Sequence, residues 1–196
     1  MNALDPLIAH IQKRITLTPE ELTTFTSAFK LKKVKKKQFI IQPGFPSQYR
    51  NYVVKGAFRA YVIGGNGEDY TIQLAIEDWW ISDYNSYVHR QPATMFVVAL
   101  EDSTILQIDY DSELKLKLGS HRFETYFRVM AERTAAYQQR RVVAGLTQTA
   151  EQRYNDFLEK YPLIAQRVPQ YALASYLGMT TEFLSRIRNK KTKKKS

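Results

Sequence analysis

The chain has no cysteine, which excludes disulfides, thiol redox chemistry, Cys-ligated zinc and iron–sulfur clusters. It has three histidines, His10, His89 and His121, and only His89 falls in the strand-rich middle, so an imidazole-based metal centre is not expected. No stretch approaches the roughly 20 apolar residues that cross a bilayer. The N-terminus, MNALDPLIAHIQKR, has no apolar segment ahead of a small-residue cleavage site, so the expected location is the cytoplasm. No Ser-His-Asp set, glycine-rich phosphate loop or paired-carboxylate spacing stands out. No catalytic residue, metal or cofactor is therefore assigned, and the chain reads as a non-enzyme. With 44% hydrophobic and 13% aromatic residues, it has material for a sizeable core.

Acidic residues are scarce at one end. Residues 161–196 hold eight Arg or Lys against the single Glu182, so +7 of the net +10 lies there. Residues 65–118 hold ten acids and three bases and would repel a phosphate backbone. A second basic run, KLKKVKKKQF at 30–39, reads as an edge strand whose lysines discourage pairing with another sheet.

Apolar residues at helical spacing mark 3–14 and 19–29, the second announced by Thr18, Pro19, Glu20 and Glu21. From Gln38 to about Tyr110 the chain turns to short runs rich in Val, Ile, Tyr and Phe. Gly, Pro and Asn separate them at the spacing of a sandwich or jelly-roll barrel, and Gly64-Gly65-Asn66-Gly67 reads as a hairpin. A long helix follows from about Ser120 to Ala144. Phe123, Phe127, Met130, Thr134, Tyr137 and Arg141 recur along it at alternating four- and three-residue steps, the pattern of a dimer seam. A helix lying on the barrel would explain the first half of that stripe equally well. Gly145 is expected to break the helix, and Thr149 with Gln152 to cap another over 149–160, ending before Pro162.

The stretch YALASYLGMTTEFLSRIRNKK, 171–191, reads as two short helices folded about Gly178. Ala174 is small where the helices would touch, Gly178 can adopt positive φ, and Leu184 and Ile187 are spaced to face inward. Thr180 or Thr181 can cap the second helix. Thr181, Glu182, Ser185, Arg186 and Asn189 then project outward, with Lys190 beyond. Glu can accept from cytosine N4 and Arg can fork onto guanine O6 and N7. On an ordinary helical hairpin, Glu182 and Arg186 would merely form a surface ion pair. The adjoining lysines favour double-stranded DNA as the partner. Removing Lys193–Lys195 is expected to weaken binding to every sequence alike, unless the tail serves solubility alone.

Two opening helices, a β-roll, a long helix and a terminal helix-turn-helix together resemble the CRP/FNR family of bacterial transcription regulators, whose effector domain has the cyclic-nucleotide-binding fold. PGFPSQYRNYVVKGAFRAY (43–61) and VVALEDSTILQI (97–108) are similar to the family's β-roll, and TTEFLSR (180–186) to its Ser-Arg-Glu-x-x-x-Arg recognition pattern. The resemblance implies an α+β fold in three parts: an effector domain over 1–118, a dimerisation helix over 119–145, and a DNA-binding helix-turn-helix with a basic tail over 146–196. It also implies a homodimer. Ser82 stands where cAMP-binding members carry the ribose-holding Glu, and Pro92 where they carry the phosphate-holding Arg, so cAMP is not the expected effector. Trp80, Ser82, Tyr84, Arg90 and Thr94 are the candidate lining of a pocket for an unknown small-molecule effector. The same aromatic rings could instead fill that space. The rival reading from another class is a sensor or scaffold that binds a small ligand or a protein partner without touching DNA.

Overall fold

A computed structural model describes residues 2–193. Helix α1 (Asp5–Gln12) and helix α2 (Pro19–Ser27) open the chain. The Thr18 hydroxyl accepts from the Glu21 amide, and the Glu21 carboxylate accepts from the Thr18 amide, a complete capping box that starts α2 behind Pro19.

Eight strands follow: β1 (Lys30–Val34), β2 (Phe39–Ile41), β3 (Tyr49–Lys55), β4 (Phe58–Ile63), β5 (Asp69–Ala75), β6 (Trp80–Ile81), β7 (Phe96–Ala99) and β8 (Ser103–Asp109). They form two antiparallel four-stranded sheets, ordered β1-β8-β3-β6 and β2-β7-β4-β5. The lysine-rich β1 is an edge strand, as its sequence predicts. Val53, Phe58, Ala60, Val97 and Ile105 meet between the sheets. The other face of the first sheet is buried too: Tyr52, Leu106 and Ile108 pack under Leu7 and Ile11 of α1 and Phe25 of α2. That double burial explains why YVV and TILQI read as continuous apolar runs rather than alternating ones. Gly56 joins β3 to β4 at φ +115°, where a Cβ would lie 2.8 Å from the Ser103 Cα; only glycine permits that approach.

Between β6 and β7 lies α3 (Tyr84–His89), and after β8 come α4 (Tyr110–Gly119) and α5 (His121–Thr147). Helices α6 (Ala150–Lys160), α7 (Pro162–Arg167), α8 (Gln170–Tyr176) and α9 (Thr181–Lys193) complete the described chain. The α6 start is the predicted box of Thr149 and Gln152. Gly145 does not break α5, which runs on to Thr147. Gly145 lies in the last turn of α5, and even an interior glycine costs only about 1 kcal/mol against alanine, which 27 residues of helix absorb. A third core joins α6–α9 to the β-roll, with Tyr154, Phe157, Leu173, Leu184 and Ile187 around Ala57, Leu74 and Ile76. Among the described residues, no helix is long and apolar enough to cross a membrane.

Candidate nucleic-acid interface and effector site

Helix α8 ends in a full left-handed cap. Gly178 takes φ +67°, its amide donates to the Ser175 carbonyl at 3.1 Å, and the Met179 amide donates to the Ala174 carbonyl at 3.0 Å. Thr180 then caps α9 by accepting from the Phe183 amide at 3.2 Å. Leu184 and Ile187 are buried against Leu173, Ala174 and Leu177. Arg153 of α6, which sequence reasoning missed, braces the turn: its guanidinium donates to the carbonyls of Leu177 (2.9 Å), Gln148 (2.6 Å) and Gly178 (3.3 Å). On the outer side of α9, Glu182, Arg186, Asn189 and Lys190 are exposed, and Thr181 and Ser185 are half-buried. Glu182 and Arg186 form no ion pair; the Arg186 guanidinium lies over the Phe183 ring, 5.3 Å from its centroid. The seven residues predicted to read DNA thus share one helix start and its outer face. Lys193 closes α9, while Lys194 and Lys195 lie outside the described residues.

The helix pair is fixed to the β-roll. The Ser175 hydroxyl accepts from the Thr71 amide at 2.8 Å and donates to the Asp69 carbonyl at 2.7 Å. Arg167 of α7 pairs with Glu77 at 2.5 Å and also with Glu101. Arg141 of α5 donates to the carbonyls of Ile72 and Tyr176, and the Tyr137 and Tyr176 hydroxyls are hydrogen-bonded.

These contacts engage most of the predicted seam residues within the chain itself. Phe123 and Phe127 are buried under the β-roll, Met130 packs beside them, and Tyr137 and Arg141 hold α8 and β5. Thr134 is exposed, but its hydroxyl donates to the Met130 carbonyl. The chain's own elements cover most of that stripe along both halves of α5. The available face lies a step round the helix, where Ala135, Val142 and Leu146 are exposed, with Val142 63% and Leu146 82% accessible.

The β-roll holds a buried ion pair with no local sequence signal. Arg50 on β3 donates to both carboxylate oxygens of Glu113 on α4, each at 3.1 Å, and the Tyr87 hydroxyl donates to the same carboxylate at 3.1 Å. The Arg50 guanidinium lies 4.9 Å from the Trp80 ring centroid, 5.0 Å from Tyr84 and 5.7 Å from Phe127. Trp79 packs elsewhere, edge-on to Tyr137 and Tyr161.

Residues 31–117 match the family model of the cyclic nucleotide-binding domain. Over 85% of its own length and 85% of the other, the chain superposes on FixK2 from Bradyrhizobium japonicum with a TM-score of 0.75 at 17% identity. It is also similar to the c-di-GMP-responsive global regulator CLP of Xanthomonas campestris (TM-score 0.71, 12% identity, 90% and 93% covered). A third similar structure is that of a protein from Eubacterium rectale described as a transcriptional regulator of the CRP/FNR family (TM-score 0.66, 13% identity, 87% and 82% covered). The chain has the CRP/FNR fold. A search of curated proteins finds no match to it. In this CRP/FNR fold the five predicted pocket residues do not converge. Trp80 and Tyr84 sandwich Arg50, Arg90 turns to the surface to pair with Asp111, Ser82 is half-buried, and the exposed Thr94 donates its amide to Asp83 at 2.8 Å. Of the two readings open for the rings, the filling one applies to Trp80, because a buried guanidinium–carboxylate pair needs covering. A cleft of about 750 Å³ lies instead between α5, α6 and α8, walled by Tyr137, Phe157, Tyr161 and Tyr176.

Proposed function

We propose that the chain is a non-enzymatic, DNA-binding transcription regulator that acts as a homodimer. The observation that carries this reading is the outer face of α9, where Glu182, Arg186, Asn189 and Lys190 stand exposed on a helix whose other side is locked into a core. In the major groove, Arg186 forks onto guanine and Glu182 accepts from cytosine. Thr180 and Thr181, at the positive end of the helix, meet a phosphate, and Ser185, Asn189 and Lys190 extend the contact. Residues 146–196 form the reading unit, 119–145 the pairing helix, which α5 carries on through Leu146 to Thr147, and 1–118 the effector domain.

Pairing would use the Ala135, Val142 and Leu146 face, which sets two reading helices on a palindromic site with half-sites about one helical turn apart. Leu146→Glu would place a like charge at each copy's seam, and sedimentation is expected to show dimer association weakened at least ~10-fold towards monomer, a cost of about 1.4 kcal/mol or more. An unchanged dimer would move the seam elsewhere.

Selection of bound sequences from a random duplex pool is expected to return such a palindrome. On the selected duplex, Arg186→Ala should cost about 1–3 kcal/mol at one base position. Loss of Lys193–Lys195 should weaken selected and random duplexes equally and flatten the salt slope. Gel shifts in which both changes act alike on both duplexes would overturn this division of roles.

A further inference from the structure

Asp83 is fully buried, and among the described residues no Lys, Arg or His pairs with it. Its partners are uncharged donors. One oxygen accepts from the Ser86 amide at 3.1 Å, the ordinary cap of α3. The other oxygen is held from across the connection to β7: the Thr94 amide lies at 2.8 Å, the Met95 amide at 3.2 Å and the Thr94 hydroxyl at 3.3 Å. Those three donors belong to no helix terminus. They converge because the chain reverses after α3, at Arg90 with φ +54°, and runs back to β7. The Ser86 hydroxyl ties the same reversal by donating to the Gln91 carbonyl at 2.5 Å and accepting from the Ser47 amide.

The Thr94 and Met95 amides and the Thr94 hydroxyl are part-buried where they meet Asp83, so leaving them without an acceptor there would carry a desolvation cost. A carboxylate, with two oxygens and only acceptor capacity, satisfies them together. We propose that Asp83 is a built-in ligand of the effector domain: its carboxylate closes the 83–95 segment onto the Thr94 and Met95 amides, so this segment holds its shape without an external anion and leaves none room to enter. Of the candidate pocket residues, Ser82 precedes this carboxylate in sequence and Thr94 donates to it from the connection to β7, which is why they line no open site. The expected consequence is an effector domain that does not respond to anionic small molecules.

Full-length Asp83→Ala removes the carboxylate and leaves space for formate, the same group without its tether. Amide exchange at Thr94 and Met95 is expected to accelerate roughly 10- to 100-fold over wild type, the loss of one or two buried hydrogen bonds. Formate, but not chloride at equal ionic strength, should slow it again, and should leave wild type unchanged. Asp83→Ser keeps an acceptor for the Ser86 amide and so keeps the α3 cap. It serves if the alanine variant does not fold, with the same acceleration and the same formate dependence expected. Exchange that stays at the wild-type rate in the variant, or formate and chloride acting alike, would overturn the proposal. These readouts need no DNA, so they stand or fall separately from the regulator reading.

Discussion

Glu113→Ala is expected to destabilise the protein by about 3–5 kcal/mol, among the largest effects of any single substitution here. The side chains of Arg50 and Glu113 are only 6% and 3% accessible, so removing the carboxylate leaves a guanidinium in the interior without its anion. Lys117, which also pairs with Glu113, is closer to solvent and can rehydrate; Arg50, enclosed by Trp80, Tyr84 and Phe127, cannot. The rings soften the loss through cation–π attraction but do not replace a carboxylate. At roughly 2–4 °C per kcal/mol for a chain of this size, Tm should fall by about 6–20 °C. The double variant Arg50→Met/Glu113→Leu should recover part of that loss, because the cost lies in the unpaired charge rather than in the absence of the pair. Arg90→Ala is the control: its pair with Asp111 is more than half exposed on both sides and should be worth less than about 1 kcal/mol. Equal losses from Glu113→Ala and Arg90→Ala would show that the pair is not desolvated as its burial implies.

The features legible in the sequence are those whose physics is local. The boxes of Thr18 with Glu21 and Thr149 with Gln152, the turn at Gly178 and the lysine edge of β1 each lie within a few residues, and each was predictable. Helices α3 and α4 were missed, although Asp83 and Asp109 each cap a serine amide three residues on. That signal was present but lay inside an aromatic run and a charged one. Helix periodicity correctly marked a stripe on α5 but could not say what covers it. Phe127 meets the chain's own Phe25, a contact between residues far apart in sequence. Arg50 and Glu113 are 63 positions apart, and nothing near either residue announces the other. The outer face of α9 was legible because a capped helix start and two buried positions, Leu184 and Ile187, fix its rotation. The pocket residues were placed by spacing alone, and spacing does not say that Arg90 turns outward to Asp111.

Acid should weaken the fold through His10 before the carboxylates contribute. His10 is buried, its Nδ1 is 2.9 Å from the Tyr126 hydroxyl, and its ring is edge-on to Tyr52 and Tyr126. Burial, reinforced by Arg14, lowers its pKa to about 4; Asp78 opposes the shift, while Lys13 and Arg133 add to it. His10 also sits in the last turn of α1, where the helix dipole would favour a cation, so desolvation outweighs the dipole. The folded protein therefore keeps His10 neutral while the unfolded chain protonates it near pH 6.5. Above that pH both states are neutral and the full stability is present. As pH falls towards 4 the unfolded state gains a proton that the folded state refuses, and stability drops, by about 2 kcal/mol at pH 5 and about 3 kcal/mol in the limit. Glu20, Glu21, Asp102 and Asp109, whose pKa values are lowered by folding, lose stability in the same direction, but only below the ordinary carboxylate range. The slope between pH 6.5 and 5 is thus assigned to His10. Urea titrations of His10→Gln should show that slope abolished while the fall below pH 4.5 remains; an unchanged slope would place the responsible proton elsewhere.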